Sequence, residues 1–233
     1  MKQLLLGVGI AVSLFSCSSQ KYFASNVPPA EITDVQAIEP FSFVSLIEHS
    51  DVGVYNDSLT WYAREALLQS LETMRTQLRL SPEVLFVDDE WDRELLLSEV
   101  DFLIHAAETA PRRTKKVTPS VAITPLIDSL LTVSGKRFGL LIIQDGFTRS
   151  NKNYAGQVAT AAVIGVATAV LTGGSAYYLQ TPVRRGSTVN VLIVDAQENN
   201  VSFYRKSFAE DKNPTDVSVI SKQLNALFRD YFF

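Results

Sequence analysis

The sequence alternates strand-like and helix-like segments, and this alternation is the main constraint on the fold. Phe41–Ile47 follows Pro40, is rich in aromatic and β-branched residues, and predicts a first strand. An amphipathic helix of about five turns is predicted next, from the helical spacing of Leu59, Tyr62, Ala63, Ala66, Leu67, Ser70, Leu71, Met74 and Leu78. Residues 84–87, after Pro82, predict a second strand and a parallel strand–helix–strand unit.

The remaining segments continue this pattern. We predict a helix over residues 92–108, with an inward face of Leu95, Leu96, Val100, Leu103 and Ala107. A shorter helix follows over residues 125–131, then a central strand over 138–143. Strands over residues 189–194 and 201–208 are joined by a tight turn at Asn199 and Asn200, since asparagine tolerates positive φ.

A final helix completes the predicted fold. Asp216 can cap it, and its apolar stripe comprises Val217, Ile220, Leu224, Leu227, Phe228 and Tyr231. The fold class is therefore α/β (α+β), with a mixed sheet of about four to five strands packed with helices. We expect one domain over residues 41–233, carrying an insertion over residues 153–183.

The amino terminus has the parts of an export signal. Lys2 precedes an apolar segment over residues 4–15, which at about 12 residues is too short to span a bilayer, and Ser16 precedes Cys17. We interpret residues 1–16 as a signal peptide that is cleaved before Cys17, the one cysteine of the chain. An ordinary secretory signal and a merely apolar first helix are the alternatives.

Leu14-Phe15-Ser16-Cys17 resembles the lipobox of bacterial lipoproteins. The resemblance implies diacylation of the Cys17 thiol and acylation of the new amino terminus, so palmitate-type chains would anchor the protein in a membrane. Each buried methylene contributes roughly 0.8 kcal/mol, which makes anchoring by several chains nearly permanent. Ser18 and Ser19 stand where an aspartate favours inner-membrane retention, which implies the outer membrane, with the domain facing the periplasm or the cell surface.

Residues 17–40 contain serine, asparagine and proline without a sustained period. We predict that they form the lipidated cysteine and a tether, with an r.m.s. span of roughly 25–30 Å. The domain would then stand off the bilayer.

An uncharged insertion separates two of the predicted strands. Residues 153–183 lack any charged side chain, and residues 155–172 would form a helix of about 27 Å, at the lower limit for a membrane span. One face carries small residues, namely Ala155, Ala159, Ala162, Ala169 and Gly173. Three interpretations stay open: a helix packed on its own domain, a surface for self-association with other copies, and membrane insertion.

Motifs of the common enzyme classes are missing from the sequence. There is no G-x-S-x-G elbow, no H-E-x-x-H pair and no phosphate-binding glycine loop. His49 and His105 are separated by 56 positions, without the pattern of acidic partners that marks a metal site. We therefore expect no catalytic residue, no metal and no cofactor, with a hydrolase built from dispersed residues as a lesser alternative.

Three charged segments are interpreted as structural. Asp88, Asp89, Glu90 and Asp92 suit a turn and helix start, because carboxylates favour the positive end of a helix. Asp145 and Gly146 are read as a turn, and Arg112, Arg113, Lys115 and Lys116 as a solvated loop, with an anionic headgroup or a partner as the alternative. The net charge of −4 gives no electrostatic reason to expect nucleic acid as a partner.

The order of elements resembles a group of periplasmic domains. The chain begins with a lipobox and a tether, continues with a strand–helix–strand unit and a central strand, and ends with Val191-Leu192-Ile193-Val194-Asp195 turning into Val201-Ser202-Phe203-Tyr204 and a closing helix. This layout is similar to that of the TolB amino-terminal domain, the penicillin-binding-protein activator lipoproteins and the curli-secretion channel lipoprotein. The resemblance implies a non-enzymatic module. We expect a lipid-anchored adaptor or assembly factor that binds other envelope proteins, with a homo-oligomeric export-channel subunit as the alternative.

Overall fold

The computed structural model describes residues 21–23, 27–49, 51–110, 120–171 and 182–233, and for residues 21–23 and 162–171 it describes the backbone alone. The strands in chain order are β1 (Lys21–Phe23), β2 (Gln36–Ala37), β3 (Phe41–Ile47), β4 (Val54–Tyr55), β5 (Phe138–Arg149), β6 (Arg185–Asp195) and β7 (Asn200–Glu210). The helices are α1 (Asp57–Leu78), α2 (Glu90–Thr109), α3 (Pro125–Ser134), α4 (Asn151–Leu171) and α5 (Val217–Phe228).

The strands form one mixed sheet in the order β1-β7-β6-β5-β3-β4, with β2 also paired to β5. β2 and β3 run parallel to β5, whereas the other pairs are antiparallel. The predicted α/β class and mixed sheet are confirmed. Three short strands, β1, β2 and β4, bring the sheet to seven strands, more than the four to five expected.

Helices cover both faces of the sheet. On one face α1 and α5 pack against alternate residues of the central strands, including Leu140, Ile142, Val191, Ile193 and Phe203. On the other face α2 and α3 pack against the residues between them, including Leu141, Ile143, Leu192, Val194 and Tyr204. Strands buried on both sides read as continuous apolar runs, which is why residues 138–143 and 189–194 contain so few polar residues.

Local signals at element ends are confirmed. The Asn56 side chain accepts a hydrogen bond from the Leu59 N–H at the start of α1, and Asp216 accepts one from the Ser218 N–H at the start of α5. Asn199 adopts a φ of 47° in the turn between β6 and β7, as its tolerance of the left-handed region predicted. These caps satisfy N–H groups that a helix leaves without internal partners.

Residues 84–87 do not form the predicted strand. Leu85 makes a single bridge with Ile38, and Leu80 bridges Val35. The Ser81 N–H still donates to Val35 O at 2.8 Å, but Pro82 interrupts the pairing between the two bridges, because proline has no N–H for a ladder. The parallel neighbours are instead β3 and β5, and the connection between them contains α1, α2 and α3.

The predicted tether over residues 17–40 is wrong for most of its length. Ile32, Val35 and Ile38 are fully buried in the core, and β2 pairs with β5 within this range. β1 adds Lys21–Phe23 to the outer edge of β7. Residues 32–40 therefore form a packed segment of the domain and not a tether.

The hairpin of β5 and β6 is longer than predicted. β5 continues to Arg149, so Asp145 and Gly146 lie within a strand, paired with Thr188 and Ser187, and do not form a turn. A Cβ atom at residue 146 would lie 2.5 Å from Cβ of Pro214. Glycine at this position therefore allows the loop between β7 and α5, which contains Pro214, to approach the sheet. The insertion and α4 occupy the far end of this hairpin.

Candidate protein-interaction surface

A buried carboxylate joins α1, α2 and the segment before β3 at one edge of the sheet. Glu39 is 3% exposed, and its Oε1 lies 3.0 Å from Nη2 of Arg64 and 2.8 Å from Nε of Arg93. Its Oε2 accepts a hydrogen bond from the Val87 N–H at 3.2 Å. One carboxylate thus fixes two helices and the connection between them, because its charge is compensated from both sides.

Exposed aromatic and aliphatic side chains lie on β4, on α1, on the connection before α2 and at the start of α2. We call them the edge surface, and they are Val54, Tyr55, Trp61, Tyr62, Phe86 and Trp91. Trp61 is 55% exposed and Trp91 is 74% exposed. The rings of Trp61 and Tyr62 contact edge to face with centroids 5.0 Å apart, and the Arg64 guanidinium lies 5.6 Å from the centroid of Phe86.

The local structure explains why these side chains point outward. The Thr60 hydroxyl lies 3.0 Å from the Val44 N–H, and the Asn56 N–H donates to Val44 O at 3.0 Å, so the start of α1 covers the edge of β3. This arrangement turns Trp61 away from the core. β4 pairs with β3 over two residues only, and a strand so short limits edge-to-edge pairing with other sheets.

Residue types on the edge surface match those that dominate protein interfaces. Tryptophan, tyrosine and arginine are enriched where binding energy concentrates, because they combine large apolar area with polar groups and few rotatable bonds. Arg64 and Arg93 are held in place by Glu39 before any partner arrives. The arrangement can therefore bind another protein with little loss of side-chain freedom.

Sequence reasoning missed this surface and placed one of its residues, Tyr62, and the exposed Leu95 of α2 on inward faces. Tyr62 is 56% exposed and Leu95 is 43% exposed. Both lie at the margin of the apolar stripe of their helix, where a period of 3.6 residues does not decide the side. The presence of Trp61 and Trp91 on the polar faces of α1 and α2 was the available signal.

The small-residue face of α4 is in part described. Ala155 and Ala159 are exposed, whereas Asn153, Tyr154 and Gln157 on the other side of the helix are partly buried. The first turns of α4 therefore do not bury their small residues on the domain, contrary to the interpretation of a helix packed on its own domain. The side chains of Ala162 and Ala169, and residue Gly173, lie outside the described residues.

The base of α4 is clamped by two arginines. Arg149 donates to Asp51 Oδ1, Asn153 Oδ1 and Val183 O, each at 3.0 Å. Arg184 places its guanidinium 5.6 Å from the Tyr154 ring centroid. The end of β5 and the residue before β6 thus both contact the first turn of α4 and fix its orientation on the domain. Within the described ranges, none of the helices combines the length and apolarity that crossing a bilayer requires.

The two histidines lie in different parts of the described structure. His105 is exposed on α2, and His49 lines a cleft of about 530 Å³ beside Glu48, Asp51 and Lys152. Across the described residues no group of three histidine, cysteine or carboxylate side chains could hold a metal ion.

The acidic cluster behaves as predicted. Asp89 is the N-cap of α2 and accepts a hydrogen bond from the Asp92 N–H at 3.1 Å. The basic residues Arg112, Arg113, Lys115 and Lys116 lie outside the described residues, so their interpretation as a solvated loop stays a prediction.

Two titratable groups on the α2 side of the sheet have shifted pKa values. Partial burial raises the pKa of Asp145, with repulsion from Asp101 adding to the rise and Lys206 opposing it. Burial also raises the pKa of Tyr204, whose hydroxyl lies 2.8 Å from Glu108 Oε1 and 3.0 Å from Asn190 Oδ1. The Tyr204 hydroxyl is thus a neutral structural donor between α2 and the sheet.

Comparisons with known proteins identify no family. No family model matches the chain, and no curated protein matches it. Among solved structures, the chain is similar to the PelC dodecamer from Paraburkholderia phytofirmans in space group P6. The TM-score is 0.36 and the sequence identity is 9%, and the match covers 91% of this chain and 94% of that chain. A PelC variant dodecamer from the same organism in space group C2 gives a TM-score of 0.37 with the same identity and coverage. Values this low carry no argument about function.

Proposed function

We propose that this protein is a lipid-anchored, non-catalytic envelope lipoprotein that binds another envelope protein through the edge surface. The observation that carries the proposal is the group of exposed aromatic side chains on α1, on α2 and on the connection between them, the elements that the buried Glu39 joins. Leu14-Phe15-Ser16-Cys17 supports the lipid anchor and the outer membrane as its location. The resemblance in layout to periplasmic binding modules supports the adaptor role.

The edge surface suits a partner with an apolar patch bordered by carboxylates. Trp61 and Trp91 supply large rigid anchors. Arg93 is 44% exposed, so its guanidinium can donate hydrogen bonds to a carboxylate of the partner in addition to Glu39. Truncation of one buried aromatic anchor in an interface costs about 2 kcal/mol or more. We therefore expect Trp61→Ala and Trp91→Ala each to weaken binding by more than about tenfold.

Site-specific photocrosslinking tests the adaptor role. A photoreactive amino acid placed at Trp61 or Trp91 in the full-length chain is expected to crosslink the same envelope protein in living cells. Val133 on α3 is the matched control, because it is 84% exposed and lies away from the edge surface. Partner identification by mass spectrometry and loss of the crosslinked band in the Arg93→Glu variant complete the test. Equal crosslinking from all three positions would refute the proposal.

The lipid anchor has its own test. Metabolic labelling with a palmitate analogue is expected to mark the wild-type chain and leave Cys17→Ala unlabelled, because the chain has no other cysteine. The variant is also expected to leave the membrane fraction. Equal labelling of both forms would remove the anchor from the proposal while leaving the edge surface untouched.

The mass of the detergent-extracted protein separates the adaptor from the export-channel subunit. A monomer, a dimer or a complex with one partner is expected for an adaptor. A closed ring of many copies would favour the channel, since only an assembly of that kind encloses a pore.

A further inference from the structure

The direction of β1 shows from which end of the sheet the chain arrives. β1 pairs antiparallel with β7, with Lys21 opposite Arg205 and Phe23 opposite Phe203. β7 runs toward Glu210, which pairs with Gly186 at the end of the sheet where α4 begins. The chain therefore enters β1 running away from the α4 end.

The length of chain before β1 limits the position of the lipid anchor. Lys21 is four positions after Cys17, and four extended Cα–Cα steps reach at most about 14 Å. From the level of Arg205 to that of Glu210 the sheet extends about 17 Å. The acylated cysteine can thus reach nearly to the α4 end and cannot reach beyond it. A tether of this length holds the domain against the bilayer, unlike the longer tether predicted from sequence.

The α4 end presents a helix face of small side chains that carries one charged residue, Lys152, at its start. Lys152, Ala155 and Ala159 are exposed on one side of α4, and Gln157 on the other side donates to Asp51 Oδ1 at 2.6 Å. The Arg149 contacts described above keep this orientation. No charged residue follows Lys152 until Arg184, so contact with lipid buries no unpaired charge along the helix.

We propose that the exposed face of α4 lies on the bilayer that carries the acyl chains of Cys17. The occupant of this face is lipid, and the inference rests on the lipid anchor of the proposed function. Small apolar side chains bind a membrane weakly on their own. The anchor supplies a high effective concentration, so a contact of modest affinity stays occupied. Lys152 can direct its ammonium group to the headgroups while its methylenes cover apolar surface.

Fluorescence on reconstituted protein tests this contact. Lipidated full-length Ala159→Cys carries a single free thiol, because the sulfur of Cys17 is occupied by its lipid, and it can be labelled with an environment-sensitive dye. The protein is placed in vesicles of phosphatidylethanolamine and phosphatidylglycerol. Val133→Cys is the matched control, since α3 ends just before β5 starts, at the opposite end of the sheet. Ala155→Cys provides a second position on α4.

The expected result is a blue-shifted emission from residues 155 and 159, loss of that emission with nitroxide-labelled lipid, and protection from aqueous iodide. The label at residue 133 should show the opposite behaviour.

Protection from iodide without quenching by nitroxide lipid would show that protein covers α4 and would overturn the inference in favour of self-association. Protein that does not float with the vesicles would overturn the lipid anchor and this inference together. Floating protein with iodide-accessible labels at 155 and 159 would overturn this inference alone.

Discussion

Removal of the Glu39 carboxylate should destabilise the domain strongly. In Glu39→Ala, Arg64 and Arg93 lose their shared acceptor and the buried Val87 N–H loses its hydrogen bond. Hydrogen bonds to charged groups contribute about 1.5–3 kcal/mol each. The two arginines are 30% and 44% exposed, so water replaces part of their loss. We expect a decrease of about 3 kcal/mol in the free energy of unfolding, well below the sum of the three contacts.

Urea denaturation followed by circular dichroism measures this decrease, and thermal unfolding should show a midpoint lower by about 6–12 °C. Glu72→Ala is the matched control, because Glu72 is 64% exposed and pairs only with Arg75 of the same helix in the described structure. That change should stay within about 0.5 kcal/mol. Glu39→Gln keeps an acceptor for the Val87 N–H and should lie between the two. Equal effects of Glu39→Ala and Glu72→Ala would refute the assignment of Glu39 as the junction of α1 and α2.

Three further predictions concern stability. Gly146→Ala should lower the free energy of unfolding by about 1–3 kcal/mol, because the new Cβ would overlap Pro214. Gly156→Ala is the control: no atom lies within 4 Å of its new Cβ, so it should stabilise α4 by up to about 1 kcal/mol. Equal effects of the two changes in urea denaturation would contradict this. Arg205→Met should cost about 3 kcal/mol, since the buried guanidinium donates to two carbonyl groups at the end of α5, and hydrogen exchange should rise first in that helix. Asp216→Ala should cost about 1 kcal/mol at pH 7 through loss of the α5 cap. Hydrogen bonds from Ser218 lower the pKa of Asp216 in the folded protein. The stabilisation from the Asp216 cap is therefore fully present above the unfolded pKa of about 3.9 and is lost as pH falls through the folded pKa. A difference in stability between wild type and Asp216→Ala that persists at low pH would contradict this.

The helices and long strands could be predicted because their signals are local. Asn56 and Asp216 mark helix starts by their own hydrogen bonds, and the apolar runs of β5 and β6 reflect burial on both faces. The outer halves of these two strands could not be predicted. Asp145 and Gly146 resemble a turn in sequence, and only pairing with β6 and the approach of Pro214 extend β5 through them.

The packed segment before β3 and the edge surface depend on distant residues. Val35 is buried because β5 and the end of α1 lie beside it, and nothing within residues 27–40 indicates their position. Glu39 joins the two helices that carry Trp61 and Trp91, and it lies 22 residues before one and 52 before the other. Helical periodicity assigns a side chain to a face of its own helix, and it does not show which faces of two helices meet at an edge.

The pairing of β1 with β7 also sets an order of folding. Lys21 lies opposite Arg205, so the first strand of the chain pairs with the last strand of the sheet. β3 likewise waits for β5. Closing loops of this length slows folding, since contacts between distant residues must form before their entropic cost is recovered. A chain that emerges from its amino terminus therefore holds β1 unpaired until β7, close to its other end, has also emerged.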